Sequence, residues 1–193
     1  MIRIKNVKKF NLQKNLITLE KDIESDKYQE LENIESEEYK RNSVVMQKML
    51  VKYYKKHHFA LPIKYQYNQH GKPFVKDYDL FFNMSHSANY CAFAVSKYEV
   101  GIDIEKLTNK DYSKIIEKVL NDCERDHLKK YPFLVQWTIK ESYLKCLGIG
   151  LIKNLQDIVI DFDKKEVFYN AYPRLKYKNV TKRKYTYTII YKD

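Results

Sequence analysis

The sequence predicts an α+β fold. Strand-like and helix-like segments are mixed in both halves of the 193-residue chain, without the regular alternation of a parallel-sheet protein. Hydrophobic residues make up 44% of the chain and aromatic residues 15%, which is enough for a sizeable core. The same composition argues against disorder, because disordered chains are poor in aromatic and apolar residues.

The individual elements follow from local patterns. MIRIKNVKKF alternates apolar and charged residues and predicts a short strand at 1–10, and an apolar stripe within 20–56 predicts a helix. Strand-like segments follow at 79–83, 90–96 and 98–105, and the last two are so close in sequence that we expect a hairpin. Further helices are expected at 112–130 and 133–147, and further strands at DIVIDF, EVFYN and KYTYTIIYK.

The chain is strongly basic, with 36 Lys and Arg against 25 Asp and Glu and a net charge of +11. Such a charge attracts nucleic acids, phosphorylated cofactors and acidic proteins alike. Three widely spaced cysteines without a CxxC pair suit a reducing cytoplasm better than a disulfide framework or a zinc site. We expect no signal peptide and no membrane span, because the N-terminus lacks an apolar stretch and no apolar run approaches about 18 residues.

The segment GIDIE places two acids on one face of a predicted strand. Asp103 and Glu105 are two residues apart, so their side chains point the same way, while Ile102 and Ile104 point into the core. Paired carboxylates repel each other unless a cation lies between them, and oxygen ligands suit Mg²⁺. Alone, the pattern fits two acids at a solvated strand end better than a metal site.

The segment WTIKESYLKCLGIGL predicts a helix on which Trp137, Glu141 and Lys145 share one face. A Glu–Lys pair one turn apart is usually a surface ion pair of about 0.2–0.5 kcal/mol. The helix runs into Gly148 and Gly150, which permit close backbone approach. In that setting Glu141 is a candidate third carboxylate for the metal, and Lys145 is a candidate phosphate ligand.

Two loops complete the set of candidates. In FFNMSHS, Ser85 and His86 are expected in a loop after a strand, where hydroxyl, imidazole and N–H groups can bind phosphate. A hydrolase dyad fits less well, because no nucleophile elbow is present. In HGKPF, Gly71 and Pro73 fix a turn that projects Lys72, and most such lysines are simply solvated.

The order GKP, FNMSHS, GIDIE and WTIKESYLKCLGIGL resembles the phosphopantetheinyl transferase superfamily, in its larger single-chain form. The resemblance runs from about residue 41 to residue 151. It implies two similar α/β subdomains related by a pseudo-twofold axis, with the cofactor in the cleft between them. The corresponding halves of this chain are residues 1–106 and 107–193.

The resemblance also implies roles for individual residues. The metal ligands would be Asp103, Glu105 and Glu141, with Glu141 as the base and Asp103 and Lys145 as further catalytic residues. The residues implied in binding coenzyme A are Arg41, Lys72, Pro73, Ser85, His86, Asp103 and Lys145. Arg41 corresponds to a basic residue near the 3′-phosphate, but the segment 28–40 before it is mostly acidic where the family often has basic residues. Lys27 and Lys40 are the candidate substitutes.

The implied activity is Mg²⁺-dependent transfer of phosphopantetheine from coenzyme A to a serine of an apo carrier protein, releasing 3′,5′-ADP. An acidic carrier protein is the expected partner, without nucleic acid or membrane, and the enzyme is expected to be a cytoplasmic monomer. Two alternatives stay open. A metal-dependent nuclease would share the basic surface and the acids, although Lys106 directly after Glu105 breaks the usual nuclease spacing. A non-catalytic nucleic-acid-binding module is supported only by charge and aromatic content.

Overall fold

The computed structural model describes residues 1–75, 78 and 80–192, so Asp79 of the predicted strand 79–83 lies outside the described residues. The described chain combines antiparallel sheets with helices packed against them, which confirms the predicted α+β class. The strands are β1 (Ile2–Asn6), β2 (Gln66–Tyr67), β3 (Pro73–Phe74), β4 (Phe81–Ser87), β5 (Tyr90–Ser96), β6 (Val100–Lys106), β7 (Ile158–Asp161), β8 (Glu166–Tyr169), β9 (Leu175–Thr181) and β10 (Tyr185–Tyr191). The helices are α1 (Leu12–Ile17), α2 (Ser25–Glu32), α3 (Glu37–Lys56), α4 (Ser113–Val119), α5 (Asp122–Asp126) and α6 (Phe133–Leu147).

The first sheet has the strand order β1-β5-β4, and α3 packs on one of its faces. Ser36 starts α3 by accepting a hydrogen bond from the Tyr39 N–H, and acids in the first turn complement the helix dipole. The apolar stripe of α3 is buried against Phe93 and its neighbours on β5. This half therefore has its own core under a single long helix.

The second sheet has the order β6-β10-β9-β8-β7 and is covered by α6. Helix α6 begins after Pro132 and ends at Gly148, whose left-handed φ of 67° closes the last turn. Ile139 and Tyr143 on α6 are fully buried against the sheet. Helix α6 is thus held rigidly against the sheet, and it carries part of the candidate site.

The two sheets meet through a third, smaller apolar cluster. Because side chains alternate along a strand, Phe93 of β5 points to α3 while Ala92 and Ala94 point the other way, towards β6. On β6, Ile102 and Ile104 face this cluster and are fully buried, as the sequence predicts. The opposite face of β6 is therefore free to carry Asp103 and Glu105.

Several expected elements differ in the structure. The hairpin of 90–96 with 98–105 is wrong, because β5 hydrogen-bonds to β1 and β4 whereas β6 hydrogen-bonds to β10. The helix at 20–56 is divided into α2 and α3. The loop expected at 85–87 is also wrong, because these residues continue β4 to Ser87 and pair with β5.

The division between residues 106 and 107 stays a prediction. Strand β6 lies before that boundary in sequence, but it hydrogen-bonds to β10, which lies after it. Strand β9, which is rich in lysine, is absent from the sequence prediction and lies between β8 and β10.

Among the described residues, none of the helices combines the length and apolarity needed to cross a membrane.

Candidate active site

The close contact between β6 and α6 brings the acids of one to the acid of the other. Gly101 on β6 faces α6 so closely that a Cβ atom there would lie 2.0 Å from the Ser142 carbonyl oxygen and 2.5 Å from the Cys146 nitrogen. Only glycine permits this approach of two backbones. The next residues of β6 on that face are Asp103 and Glu105, so the glycine sets how near the helix comes to them.

Trp137, Glu141 and Lys145 all lie on the side of α6 that faces β6, as their spacing predicts. The Trp137 side chain hydrogen-bonds to Glu105. The Lys145 ammonium lies 2.5 Å from Asp103 Oδ1 and 3.1 Å from Ser85 Oγ. Glu141 lies between Trp137 and Lys145 along the helix. It interacts electrostatically with the two acids of β6.

Strand β4 contributes a ladder of side chains that the sequence analysis missed. The edge of β6 away from β10 has no backbone partner in β4; side-chain oxygens of β4 accept its N–H groups instead. The three bonds run from Ile102 N–H to Asn83 Oδ1 (2.9 Å), from Ile104 N–H to Ser85 Oγ (3.4 Å) and from Lys106 N–H to Ser87 Oγ (3.1 Å). The signal was available, because Asn83, Ser85 and Ser87 share the period of two of a strand face.

The two serines of this ladder also fix the acids. Ser85 Oγ donates to Asp103 Oδ1 at 2.7 Å, and Ser87 Oγ donates to Glu105 Oε2 at 2.6 Å. Each hydroxyl therefore binds both a β6 carboxylate and the N–H group of the residue after it. These two hydrogen bonds of each hydroxyl hold the carboxylate in one orientation.

The surroundings of Glu141 and Glu105 raise the pKa values of both carboxyl groups. Burial, followed by the neighbouring charge of Asp103, raises the pKa of Glu141 to about 7, and Lys145 offsets part of this effect. Burial also raises the pKa of Glu105, against the hydrogen bond from Ser87, which lowers it. The single positive charge of Lys145 thus does not balance three carboxyl groups, so a further cation would stabilise the site.

The raised pKa of Glu141 makes stability depend on pH. Its ordinary value is 4.5 and its value in the folded chain is about 7, so the folded state binds more protons than the unfolded state between these limits. The stabilisation by protonated Glu141 is complete below pH 4.5 and is lost as the pH rises through about 7. We expect the free energy of unfolding of the metal-free chain, relative to Glu141→Gln, to fall by up to about 3 kcal/mol over this window.

Urea denaturation of both proteins in chelator at pH 4.5, 5.5, 6.5 and 7.5 measures this difference. Glu117→Gln, a substitution on exposed α4, is the control and is expected to leave the pH profile of the wild type unchanged. A constant difference between the wild type and Glu141→Gln would show that Glu141 ionises normally.

The donor set is chemically suited to a hard divalent cation. Asp103 Oδ2 and Glu141 Oε1 are buried without a hydrogen-bond partner, a costly arrangement that a cation would relieve. The side chains do not form a complete metal-binding site. No group of three His, Cys, Asp or Glu able to hold a metal occurs in the part of the chain that the structure describes. The Lys145 ammonium is the cation that Asp103 binds here.

A cleft of about 260 Å³ opens beside these acids. Its lining includes four residues singled out from the sequence, namely Lys72, Pro73, Glu141 and Lys145. Gly148 and Gly150, both with positive φ, form its rim at the end of α6. The lining combines two lysines, Lys72 and Lys145, with the carboxyl group of Glu141, a combination that suits a phosphate ligand together with a metal ion.

Lys72 reaches the cleft in a different way from the solvated lysine of the sequence analysis. Its ammonium donates to the Cys146 carbonyl at 2.9 Å, at the negative end of α6, and burial lowers its pKa. Asn68 holds the same loop by donating to the Gly148 carbonyl at 2.7 Å and by accepting from the Lys72 N–H at 2.9 Å. The loop therefore caps α6 and forms one wall of the cleft.

His86 lies on the face of β4 that is turned towards α3, and Arg41 lies on α3 itself. His86 points away from the serines beside it, contacts the Tyr39 ring and lies 3.5 Å from Asn42 Nδ2, which excludes a Ser–His dyad within β4. Burial and the nearby Lys145 charge lower the pKa of His86. The Arg41 guanidinium forms an ion pair with Glu37 one turn earlier.

The candidate substitutes for a basic run before Arg41 are also engaged locally. The ammonium of Lys27 pairs with Glu30, and that of Lys40 donates to the Glu32 carbonyl. The structure thus brings together Asp103, Glu105, Glu141, Lys145 and Ser85, and it places Lys72 and Pro73 on the adjoining cleft. It shows no contact of Arg41 with that cluster within the described residues.

Comparison with known proteins shows that the segment carrying these acids is similar to one family. Residues 99–190 match the family model of the 4'-phosphopantetheinyl transferase superfamily, and this segment contains β6 and α6. Over residues 99–190 the chain is therefore similar to members of that superfamily. The matched segment supplies all three acids of the site.

Curated relatives are similar to the chain over stretches of about the same length. The chain is 39% identical over 106 residues to 4'-phosphopantetheinyl transferase gsp of Aneurinibacillus migulanus, covering 51% of this chain and 44% of the relative. It is 34% identical over 111 residues to 4'-phosphopantetheinyl transferase HetI of Nostoc sp., covering 51% and 46%. It is 33% identical over 97 residues to 4'-phosphopantetheinyl transferase Sfp of Bacillus subtilis, covering 46% and 43%. The chain thus spans about half the length of the curated relatives it matches.

Proposed function

We propose that this chain transfers the phosphopantetheine group of coenzyme A to a serine hydroxyl of an apo carrier protein. The observation that supports this most is the cluster of Asp103, Glu105 and Glu141 around Lys145, inside the segment that matches the transferase superfamily. The cleft beside the cluster offers the cofactor a place next to it. The relatives named above are transferases of this kind, which agrees with the proposal.

In the proposed reaction the serine oxygen attacks the β-phosphorus of coenzyme A. A new P–O bond to serine forms, the P–O bond to 3′,5′-ADP breaks, and the serine proton passes to a base. Glu141 is our candidate base, because a pKa of about 7 makes it able both to accept and to release a proton at neutral pH. Lys145 stabilises the negative charge of the leaving phosphate.

Asp103, Glu105 and Glu141 are the residues that would hold Mg²⁺. The bound ion would neutralise the pyrophosphate and the charge that develops on it. The two unpartnered carboxylate oxygens and the hard-oxygen donor set support this part of the proposal. Ser85 and Ser87 keep the β6 acids oriented towards the site through their hydrogen bonds.

Lys72, Pro73, Ser85, His86 and Arg41 are our candidates for contacts to the rest of the cofactor. Lys72 and Pro73 line the cleft directly. His86 is near enough to Lys145 for the lysine charge to lower the pKa of the imidazole. We further propose that residues 1–106 and 107–193 are two similar halves with the cofactor between them. The enzyme would act as a monomer in the cytoplasm.

The direct test incubates the chain with coenzyme A, Mg²⁺ and an apo carrier protein and records the intact mass of the carrier. We expect a gain equal to one phosphopantetheine group, and no gain when the acceptor serine of the carrier is replaced by alanine. Absence of any gain with carriers of the peptide, polyketide and fatty-acid types would refute the proposal.

Ser87→Ala should weaken Mg²⁺ binding about tenfold, because partners that orient a metal ligand typically contribute 10- to 100-fold to affinity. The substitution removes the hydrogen bond to Glu105 and leaves the acids themselves in place. Ser87→Thr keeps the hydroxyl and should retain the affinity of the wild type. Calorimetric titration with MgCl₂ in the presence of coenzyme A measures both, and equal affinities of Ser87→Ala and wild type would show that Ser87 does not position Glu105.

A further inference from the structure

A cluster of exposed cations lies at the end of β6 next to the candidate site. The turn between β9 and β10 carries Lys182, Arg183 and Lys184, and Lys106 ends β6. The strand register pairs Lys106 with Tyr185, and the Leu107 N–H donates to the Lys184 carbonyl at 3.0 Å. These four exposed cations, Lys106, Lys182, Arg183 and Lys184, form what we call the basic turn.

The charges of the basic turn are not neutralised from within the molecule. Among the described residues, no ion pair or side-chain hydrogen bond involves any of the four cationic groups. Elsewhere cations do find acids, as Lys55 does with Asp22 at 2.8 Å. Glu105, the acid adjacent in sequence, is already hydrogen-bonded by Ser87 and Trp137. Four unpaired like charges repel one another, so an anionic partner would be attracted to this surface.

The position of the basic turn is suited to an acceptor that must reach the acids. Lys106 directly follows Glu105, and Thr186, just after the turn, pairs with Glu105. The cleft extends from Glu141 towards the other end of α6, near Gly148. From Trp137, beside Glu105, to Gly148 the helix rises about 16 Å. A partner on the basic turn would therefore approach the acids from one end and leave the cleft open at the other.

We propose that the basic turn is the docking surface for an acidic face of the protein substrate, which rests on the proposed function. Complementary charge on the two surfaces would speed their encounter and orient the acceptor serine towards the Glu105 end of the site. A protein partner fits better than single-stranded nucleic acid. Tyr185, which directly follows the turn in sequence, packs on Tyr90 with ring centroids 4.8 Å apart, and this contact competes with the stacking of a base.

The test reverses two charges of the turn in Lys182→Glu with Lys184→Glu. At low salt we expect kcat/KM for the apo carrier protein to fall at least about tenfold, with KM for coenzyme A within about twofold of the wild type. The loss should shrink as salt is raised, because screening weakens interactions between exposed charges. Circular dichroism melting of each variant checks that the fold is kept.

The matched control is Lys164→Glu with Lys165→Glu, in the exposed turn between β7 and β8 at the far edge of the same sheet. Its change in net charge is identical, so it separates local docking from overall charge. Equal losses in the two double variants, or no loss in either, would overturn the docking surface while leaving the transferase assignment intact. Absence of transfer by the wild type would refute the proposed function itself. Salt-dependent wild-type binding to single-stranded DNA but not to the carrier protein would replace the docking proposal with a nucleic-acid surface.

Discussion

Replacing Asp103 with alanine is expected to lower the rate of phosphopantetheine transfer about 10³-fold. This magnitude corresponds to losing one preorganised electrostatic group at a reacting phosphate. Asp103 is only 4% exposed and binds both Lys145 and Ser85, so it connects α6 and β4 to the face of β6 that carries the acids. Its removal takes away one of the two unpartnered carboxylate oxygens that make the site suitable for a cation.

The measurement is the initial rate of mass gain of an apo carrier protein at saturating coenzyme A and Mg²⁺. Asp103→Asn preserves the shape of the side chain and should lose nearly as much activity, which separates the charge from packing. Lys145 is about one-third exposed and can turn towards water when its partner is removed, so we expect both variants to fold. Asp126→Ala, at the exposed end of α5, should retain the wild-type rate. Wild-type rates in both Asp103 variants would show that the reaction does not use this acid.

The acids of the site could be predicted from sequence because they depend on local periodicity. Asp103 and Glu105 share a strand face and Trp137, Glu141 and Lys145 share a helix face, whatever the rest of the chain does. The family resemblance then indicated that the two faces meet. The structure agrees on both faces, and the contact at Gly101 gives the physical reason for their closeness.

The partners of β6 could not be predicted in the same way. Nearness in sequence favoured pairing with β5, but pairing with β10 depends on residues 79 to 91 positions away. The same long-range arrangement explains why Ser85 and Ser87 lie in a strand rather than a loop. Their hydroxyls replace a backbone ladder along the free edge of β6, and this role exists only once β4 and β6 are side by side.

Lys72 shows a further limit of local reasoning. A lysine in a Gly-Lys-Pro turn is usually solvated, yet here its ammonium donates to one carbonyl, that of Cys146, in the last turn of a helix 74 positions later in the chain. Its partner Asn68 lacks any pattern that would have marked it. Capping contacts of this kind depend on where two distant segments meet, so they are visible only in three dimensions.

Gly101→Ala is expected to destabilise the chain by about 3 kcal/mol or more, at the upper end of the cost of overpacking. The added Cβ would lie 2.0 Å from the Ser142 carbonyl oxygen and 2.5 Å from the Cys146 nitrogen. Both are backbone atoms of α6, so no side-chain rotation can relieve the overlap. The helix must move away from β6, and a cost of this size lowers the melting temperature by roughly 6–12 °C in a chain of this length.

The same displacement should also reduce transfer about 10²-fold under conditions where the variant is still folded, because it moves Glu141 and Lys145 relative to Asp103. Gly71→Ala is the comparison, since its Cβ would meet nothing within 4 Å and only its φ of 80° is unfavourable. That change should cost about 1–2 kcal/mol and move neither β6 nor α6. If Gly101→Ala melts no lower than Gly71→Ala and retains the wild-type rate, the backbone contact at Gly101 does not set the distance between the helix and the acids. The two glycines thus separate the cost of a strained φ from the cost of separating the two elements that carry the site.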